Sequence, residues 1–283
     1  MSTIKNPILY NGYPLNYLGG VFCLPETEAG AGYYTEYQTV YDSFIVKPSS
    51  TYAGYQNTMV KSFVDASIWT GRMDLFYVFA NNDVSNAVVN WIKTGTNDAS
   101  TVGSIAFAAW NGFTGNRDNA RFIATPYNPT ADSINALAAS TTIGTYMRLD
   151  PAQDGDQAYI GCADANELVI YGDLAGSFFS RINSGSGMIV ANTDGAGMFI
   201  STRRTNAITE GYRNGLSIIS DTDYGETFPN LDLYILRMNG SAGSGSNNQC
   251  AVAFIMNGVT DADASTISYI INTYMTSLGT NVY

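Results

Sequence analysis

AITEGYRNGLSIIS, residues 207–220, reads as two strands, Ala207 to Arg213 and Leu216 to Ser220, joined by Asn214-Gly215. A two-residue type I′ turn needs positive φ at both central positions, and Asn followed by Gly adopts that conformation at least cost. Similar strand-length apolar segments flank this hairpin at short, fairly regular intervals. Before it come Ile105 to Trp110, Arg121 to Thr125, Thr142 to Leu149, Gln157 to Cys162, Glu167 to Tyr171, Ser177 to Ile182, Met188 to Asn192 and Met198 to Arg203. After it come Asp232 to Met238 and Cys250 to Met256. Such a series is the pattern of an all-β sandwich or barrel.

Composition agrees. The 283 residues are 45% hydrophobic and only 13% charged, enough to bury one large core, with polarity carried by turn-forming residues. A formal net charge of −11 leaves no basic stripe for phosphates, so nucleic acid is not expected as a partner. No run of 18 apolar residues suggests a membrane span, and Met1 to Leu9 lacks the basic flank and apolar core of a signal peptide. Cys23, Cys162 and Cys250 are odd in number and widely spaced, which fits buried thiols rather than a disulfide framework or zinc site. Histidine is absent, which excludes Ser-His-Asp and Cys-His catalysis.

Helices punctuate the ends of the strand series. Tyr55, Met59, Val60, Phe63, Ala66 and Ile68 recur at near-helical spacing between Gly54 and Trp69, with Gly71 as a stop, and DLFYVF from Asp74 to Phe79 follows as a buried strand. A short helix is expected over Val84 to Ile92, capped by Asn81, Asn82 or Asp83. The last helix carries the stripe Ile267, Ile270, Ile271, Tyr274 and Leu278, a capping box from Thr260 and Asp263, and Gly279 at its C-terminal stop. Residues 1–51, rich in Tyr, Gly and Pro without sustained periodicity, read as an irregular arm, and 52–283 as the sandwich with a helical entry. Tyr33, Tyr34, Tyr37 and Tyr41 fit a protein contact better than sugar stacking.

The order of segments resembles the laminin-G-like or concanavalin-A-like lectin domains of tailed-phage virion proteins, notably those of Bacteroidetes-type hosts. SFVDASIWTGRMDLFYVFA is followed by NAVVNWI, WNGFTGN, RFIATPYNP, the GYRNG hairpin, FPNLDLYILRMNG, AVAFIMNGVTDADASTI and a helix closing in YMTSLGTNV. The resemblance covers roughly 52–283. It implies a two-sheet antiparallel jelly roll with peripheral helices, and a role in the virion as fibre, decoration or tail-associated protein. It further implies other virion proteins as partners and a homo-oligomer, a trimer by analogy with phage fibres. Attachment to a host surface polysaccharide is the added expectation, and a receptor-binding lectin and a glycoside hydrolase are the alternatives. The shared motifs are scaffold, so no site residue carries over.

Candidate ligand residues therefore come from the chain itself. Asp154 and Asp156, in Asp-Gly-Asp, and Asn247 and Asn248, closing the Gly240 to Asn248 loop, offer polar groups where long loops meet at one end of the sandwich. That glycine- and serine-rich loop is expected to be flexible; it lacks the Lys-Ser/Thr ending of a phosphate-binding loop. Asp221 with Asp223 are oxygen ligands for calcium, as Asp154 with Asp156 and Asp261 with Asp263 could be, against the plainer readings of polar turns and a helix start. Asp221, Asp223 and Glu226 also form the alternating carboxylates of a sandwich glycosidase, but Gly225 and Pro229 make a solvated connection the simpler account, and no catalysis is expected. Arg203-Arg204 reads as a solvated strand end, and Trp69, Trp91 and Trp110 as core.

Overall fold

The computed structural model describes residues 32–118, 120–151, 156–205, 207–223, 225 and 227–283, with the backbone of four short strands between 9 and 23. In chain order the elements begin β1 Leu9–Tyr10, β2 Tyr13–Pro14, β3 Asn16–Leu18, β4 Val21–Cys23, α1 Thr35–Ser43, α2 Ser50–Asp65, β5 Met73–Val78 and α3 Val84–Ala87. Next come β6 Ser100–Val102, β7 Ala106–Ala108, β8 Gly112–Thr114, β9 Phe122–Ala124, α4 Pro129–Asp132, β10 Thr141–Met147, β11 Ile160–Ala163, β12 Glu167–Tyr171 and β13 Ser177–Ser184. The chain continues with β14 Met188–Ala191, β15 Gly197–Thr205, β16 Ile208–Arg213, β17 Leu216–Thr222, β18 Tyr234–Ile235, β19 Met238–Asn239, β20 Gln249–Met256 and α5 Asp261–Ser277.

Two compact units are present, Met1–Tyr33 and Tyr34–Tyr283. The first contains the antiparallel pairs β1–β2 and β3–β4. The second is a two-sheet sandwich. One sheet runs β17-β16-β15-β10-β20-β8-β7, with β5 also paired to β20; the other runs β14-β13-β12-β11-β18-β9-β6, with β19 parallel to β11. Leu75, Tyr77, Ile143, Ala253 and Ile255 of the first sheet meet Ile160, Leu168, Ile170, Phe178 and Ile235 of the second in one apolar core.

Every residue of β10 and β20 is buried, so neither strand shows the polar alternation of a solvated sheet. The reason is a third layer. Phe76 and Phe254, on the face away from the second sheet, stack at 6.4 Å, and Phe76 packs edge-on against Phe63 of α2, Trp69 and Trp91. Gly144 pairs with Phe254, and a Cβ there would lie 2.3 Å from that ring, so the strand must be bare at this point. Helix α5 joins the same layer, its Tyr274 hydroxyl donating to the Ala80 carbonyl at 2.7 Å, and the expected box of Thr260 and Asp263 caps it.

The hairpin forms as expected, with Asn214 at φ 54° and Gly215 at φ 82°. Several boundaries differ from the sequence reading. Helix α2 starts at Ser50 and ends at Asp65, because Ser67 turns left-handed at φ 57°. Helix α3 stops at Ala87, since the chain beyond it bonds across to β5: Trp91 N–H donates to the Phe76 carbonyl at 2.9 Å, and Asn90 Oδ1 accepts from Phe76 N–H at 3.3 Å. Leu236, at φ 65°, splits the expected strand Asp232 to Met238.

Residues 34–51 pack with the sandwich rather than standing apart. Tyr37 of α1 is fully buried and donates its hydroxyl to Gln56 at 2.6 Å. That helix has no side-chain cap, so packing of its buried Tyr37 and Val40 rather than capping holds it. Arg203 is no solvated strand end either, for it is fully buried. The Gly240 to Asn248 loop is pinned rather than free: Ser244 Oγ accepts from Met238 N–H at 3.1 Å, Ser246 N–H donates to Leu236 at 3.0 Å, and both serines are buried.

Candidate functional site

Strand register separates two ends of the sandwich. Met147 pairs with Gly197 and Phe199 with Arg213 at one end, while Thr141 pairs with Arg203 and Ile208 with Thr222 at the other. The first end gathers the Asn214-Gly215 turn with residues numbered 148–151, 156–159, 172–176, 192–196 and 247–248.

Asn248 ties this rim together. Its Oδ1 accepts from Leu149 N–H at 3.0 Å and Gln249 N–H at 2.7 Å, and its Nδ2 donates to the Gly195 carbonyl at 2.9 Å and the Tyr159 hydroxyl at 3.2 Å. Asp150 Oδ1 accepts from Gly195 N–H at 2.6 Å. Asn192 donates to the Gly172 and Asp194 carbonyls and accepts from Arg213 at 3.1 Å, while Arg213 also pairs with Asp194. Asn214 has two uses: it turns the hairpin, and its Oδ1 accepts from Met198 N–H at 2.9 Å. Four loops are thus fixed by amide and carboxylate bridges, the preorganisation that a binding rim requires.

Asp173, in the turn between β12 and β13, is the unusual group. It is 5% exposed; Oδ1 accepts from Gly176 N–H at 3.0 Å, and Oδ2 is buried with no hydrogen-bond partner. Burial pushes its pKa up; the Gly176 bond opposes this, and the charges of Asp150 and Asp194 add to the rise. A buried acceptor left unpaired costs about 1–3 kcal/mol, more when charged.

Of the residues singled out from sequence, Asp156, Asn247 and Asn248 share this rim. Asn247 accepts from Arg117 N–H at 2.9 Å and donates its own N–H to Gln157 at 3.0 Å, beside the exposed Asp156. Asp154 lies outside the described residues. Asp150, Asp173, Asp194, Asn192 and Tyr159 were not singled out. Gly172-Asp173 and Asp194-Gly195 carry only generic turn signals, and nothing in a turn announces which others it will meet.

Asp221 and Asp223 lie at the opposite end, on a shallow groove with Ser180, Ile182, Met188 and Thr209. Asp223 accepts from the buried Arg203 guanidinium at 2.8 Å, and Arg203 Nε donates to the Ile182 carbonyl of the facing sheet at 2.9 Å. This donor set does not fit calcium, because a guanidinium already holds the carboxylate. Glu226, the remaining carboxylate of the glycosidase pattern, falls outside the described residues. Asp261 and Asp263 are explained by the start of α5, where Asp261 bonds Arg204 at 2.6 Å and Asp263 bonds Arg72 at 3.0 Å. Among the described residues no group of three acidic, histidine or cysteine side chains is placed to hold a metal ion, and no helix is long and apolar enough to cross a membrane.

Trp69 and Trp91 are core, as expected, but Trp110 is only half-buried and stacks on Tyr52.

No family model matches the chain, and neither does any curated protein. Among solved structures the fold is similar to botulinum neurotoxin type C, whose cell entry depends on interaction with two ganglioside molecules; the TM-score is 0.53 at 15% identity, over 72% of this chain and 52% of that one. The binding domain of botulinum neurotoxin serotype G aligns at TM-score 0.51 and 10% identity, over 71% and 51% of the two chains. Trypanosoma rangeli sialidase aligns at TM-score 0.50 and 13% identity, over 76% of this chain and 39% of that one. The chain thus spans about half the length of the toxin chains and less of the sialidase. These likenesses are of fold: the molecule is a jelly roll of two antiparallel sheets with a few helices.

Proposed function

We propose that the chain is a non-enzymatic attachment protein of a phage particle, and that its loop rim binds a glycan of the host surface. The observation that carries the glycan reading is Asp173 Oδ2, a buried acceptor without a donor, set among loops that Asn248, Asn192 and Asp150 hold in place. The group is enclosed by those loops, and the exposed Asp150 and Asp156 with half-buried Asp194 offer acceptors to sugar hydroxyls around it. The jelly-roll likeness to a toxin that engages gangliosides supports the same reading. Absence of catalysis is supported by Asp223, whose carboxylate is committed to Arg203.

The virion role rests on the sequence resemblance and on an acidic surface, net −11, that resists sticking to packaged DNA. Partners are then other virion proteins and further copies of the chain, a trimer in the simplest fibre-like arrangement. Immunolabelling of purified particles tests this directly.

For the glycan, purified protein is titrated with extracted host polysaccharides in calcium and in chelator. Saturable binding, equal in both media and lost in Asp173→Ala, is expected. Binding abolished by the chelator would assign the rim to a cation instead. No binding by the folded protein would leave only a particle-assembly role.

A further inference from the structure

Trp110 adopts a backbone conformation that its side chain disfavours. It sits third in the turn Ala108 to Asn111, where Asn111 N–H donates to the Ala108 carbonyl at 3.0 Å, and its φ is +63°. Glycine or asparagine usually fills that position, and a bulky residue there is an outlier. Asn111 and Gly112 are the next two residues, yet the left-handed turn position falls on the tryptophan. Surrounding groups hold it there. Trp110 N–H donates to the Asn81 carbonyl at 2.8 Å, and Thr280 Oγ1 donates to the Trp110 carbonyl at 3.3 Å.

Trp110, Tyr52 and Tyr55 together form an aromatic platform. Tyr52 stacks parallel to the indole at 4.0 Å and 17°, which takes one face of the ring, and Tyr55 braces Tyr52 edge-on at 5.9 Å. All three rings are half-buried, whereas Trp69 and Trp91 are 5% and 2% exposed. The platform is wired to the loop rim. The Thr280 carbonyl accepts from Arg148 Nε at 3.0 Å, and Arg148 also donates to the side chain of Gln249, the neighbour of Asn248.

We infer that Trp110, backed by Tyr52, is a stacking subsite for the C–H face of a neutral pyranose ring; this rests on the glycan reading of the adjoining rim. The negative face of an aromatic ring attracts polarised C–H bonds, and a rigid ring supplies that area at little entropic cost. A strained residue kept in place by its surroundings is a recurrent mark of a ligand contact. Neutrality follows from charge. The chain carries −11, the charges of Asp150 and Asp194 already bear on Asp173 at the rim, and Arg148 Nε and Nη1 are engaged by Thr280 and Gln249.

The test uses tryptophan fluorescence of the full wild-type chain, since Trp110 is the half-exposed member of the three, and isothermal titration calorimetry for wild type and every variant, since substituting Trp110 removes the fluorescent reporter. The probes are dextran, mannan and a galactan as neutral polysaccharides, and polysialic acid as the acidic one. A saturable emission change with a neutral probe is expected, together with at least tenfold weaker binding in Trp110→Ala and an intermediate loss in Trp110→Phe. Trp110→Gly relieves the left-handed strain, so it should melt close to the wild type and still fail to bind, which separates a ligand contact from a folding role. The proposal is overturned if no neutral probe binds, if polysialic acid is preferred, or if Trp110→Ala binds as the wild type does. Loss in Asp173→Ala with full binding in Trp110→Ala would leave the rim reading standing and remove this one.

Discussion

Arg203 and Asp173 are both buried charged residues, and they serve opposite purposes. Arg203 is compensated: its guanidinium bonds Asp223 and the carbonyl of Ile182, linking one sheet to the other. Removing one partner of a buried pair leaves a charge stranded at about 3–5 kcal/mol. Asp223→Ala is therefore expected to cost about 3 kcal/mol, read as a lower urea midpoint at unchanged slope. Asp173 is not compensated, and its folded pKa is raised. A carboxyl with a raised folded pKa holds more protons folded than unfolded, so its contribution to stability falls as pH rises from the unfolded value, near 4, through the folded one. Asp173→Asn removes that loss. It should melt higher than the wild type near neutral pH and converge with it below about pH 3, while binding glycan more weakly, the trade expected of a site kept at some expense of stability.

At the scale of the element, α5 shows how a local signal and a tertiary one combine. Its capping box is legible in Thr260 and Asp263, and Thr260→Ala should cost about 1 kcal/mol in chemical denaturation. Burial alone would raise the pKa of Asp263, but hydrogen bonds from Arg72 and from the Thr260 N–H outweigh it and hold the carboxyl below its usual range. Stability from this group is present above the unfolded pKa and disappears as pH falls through the folded one. The acid-side decline in melting temperature should accordingly be shallower in Asp263→Asn. The hairpin was equally legible, yet part of its sequence requirement was not. Gly215 has φ 82°, and a Cβ there would sit 3.0 Å from Ser265 Cα of α5, so the glycine is needed both for the turn and for the helix to dock. Gly215→Ala should cost at least the 1–2 kcal/mol of a left-handed non-glycine residue.

At the scale of the whole molecule, the chain divides between Tyr33 and Tyr34, and the second unit has its own core. A chain beginning at Tyr34 should keep cooperative unfolding and glycan binding, whereas one beginning at residue 52 would lose α1 and expose the partners of Tyr37, with a lower melting temperature. The sequence by itself determined the all-β class, most strand positions, the Asn214-Gly215 turn, α5 with its cap and the absence of histidine chemistry. These are written in periods of two or about four residues and in turn residues whose φ requirements are local. The boundaries of α3, the existence of α1, the burial of Arg203 and the pinning of the Gly240 to Asn248 loop were decided by tertiary structure, because each depends on partners far away in the chain. The same holds for the site. Asp150, Asp173, Asp194 and Asn192 are ordinary turn residues until sandwich closure brings their loops to one end, and Trp110 reads as core until the fold places it left-handed on Tyr52. Periodicity reports which face of an element is buried, but only the packed sandwich decides which loops meet and which buried oxygen is left without a donor.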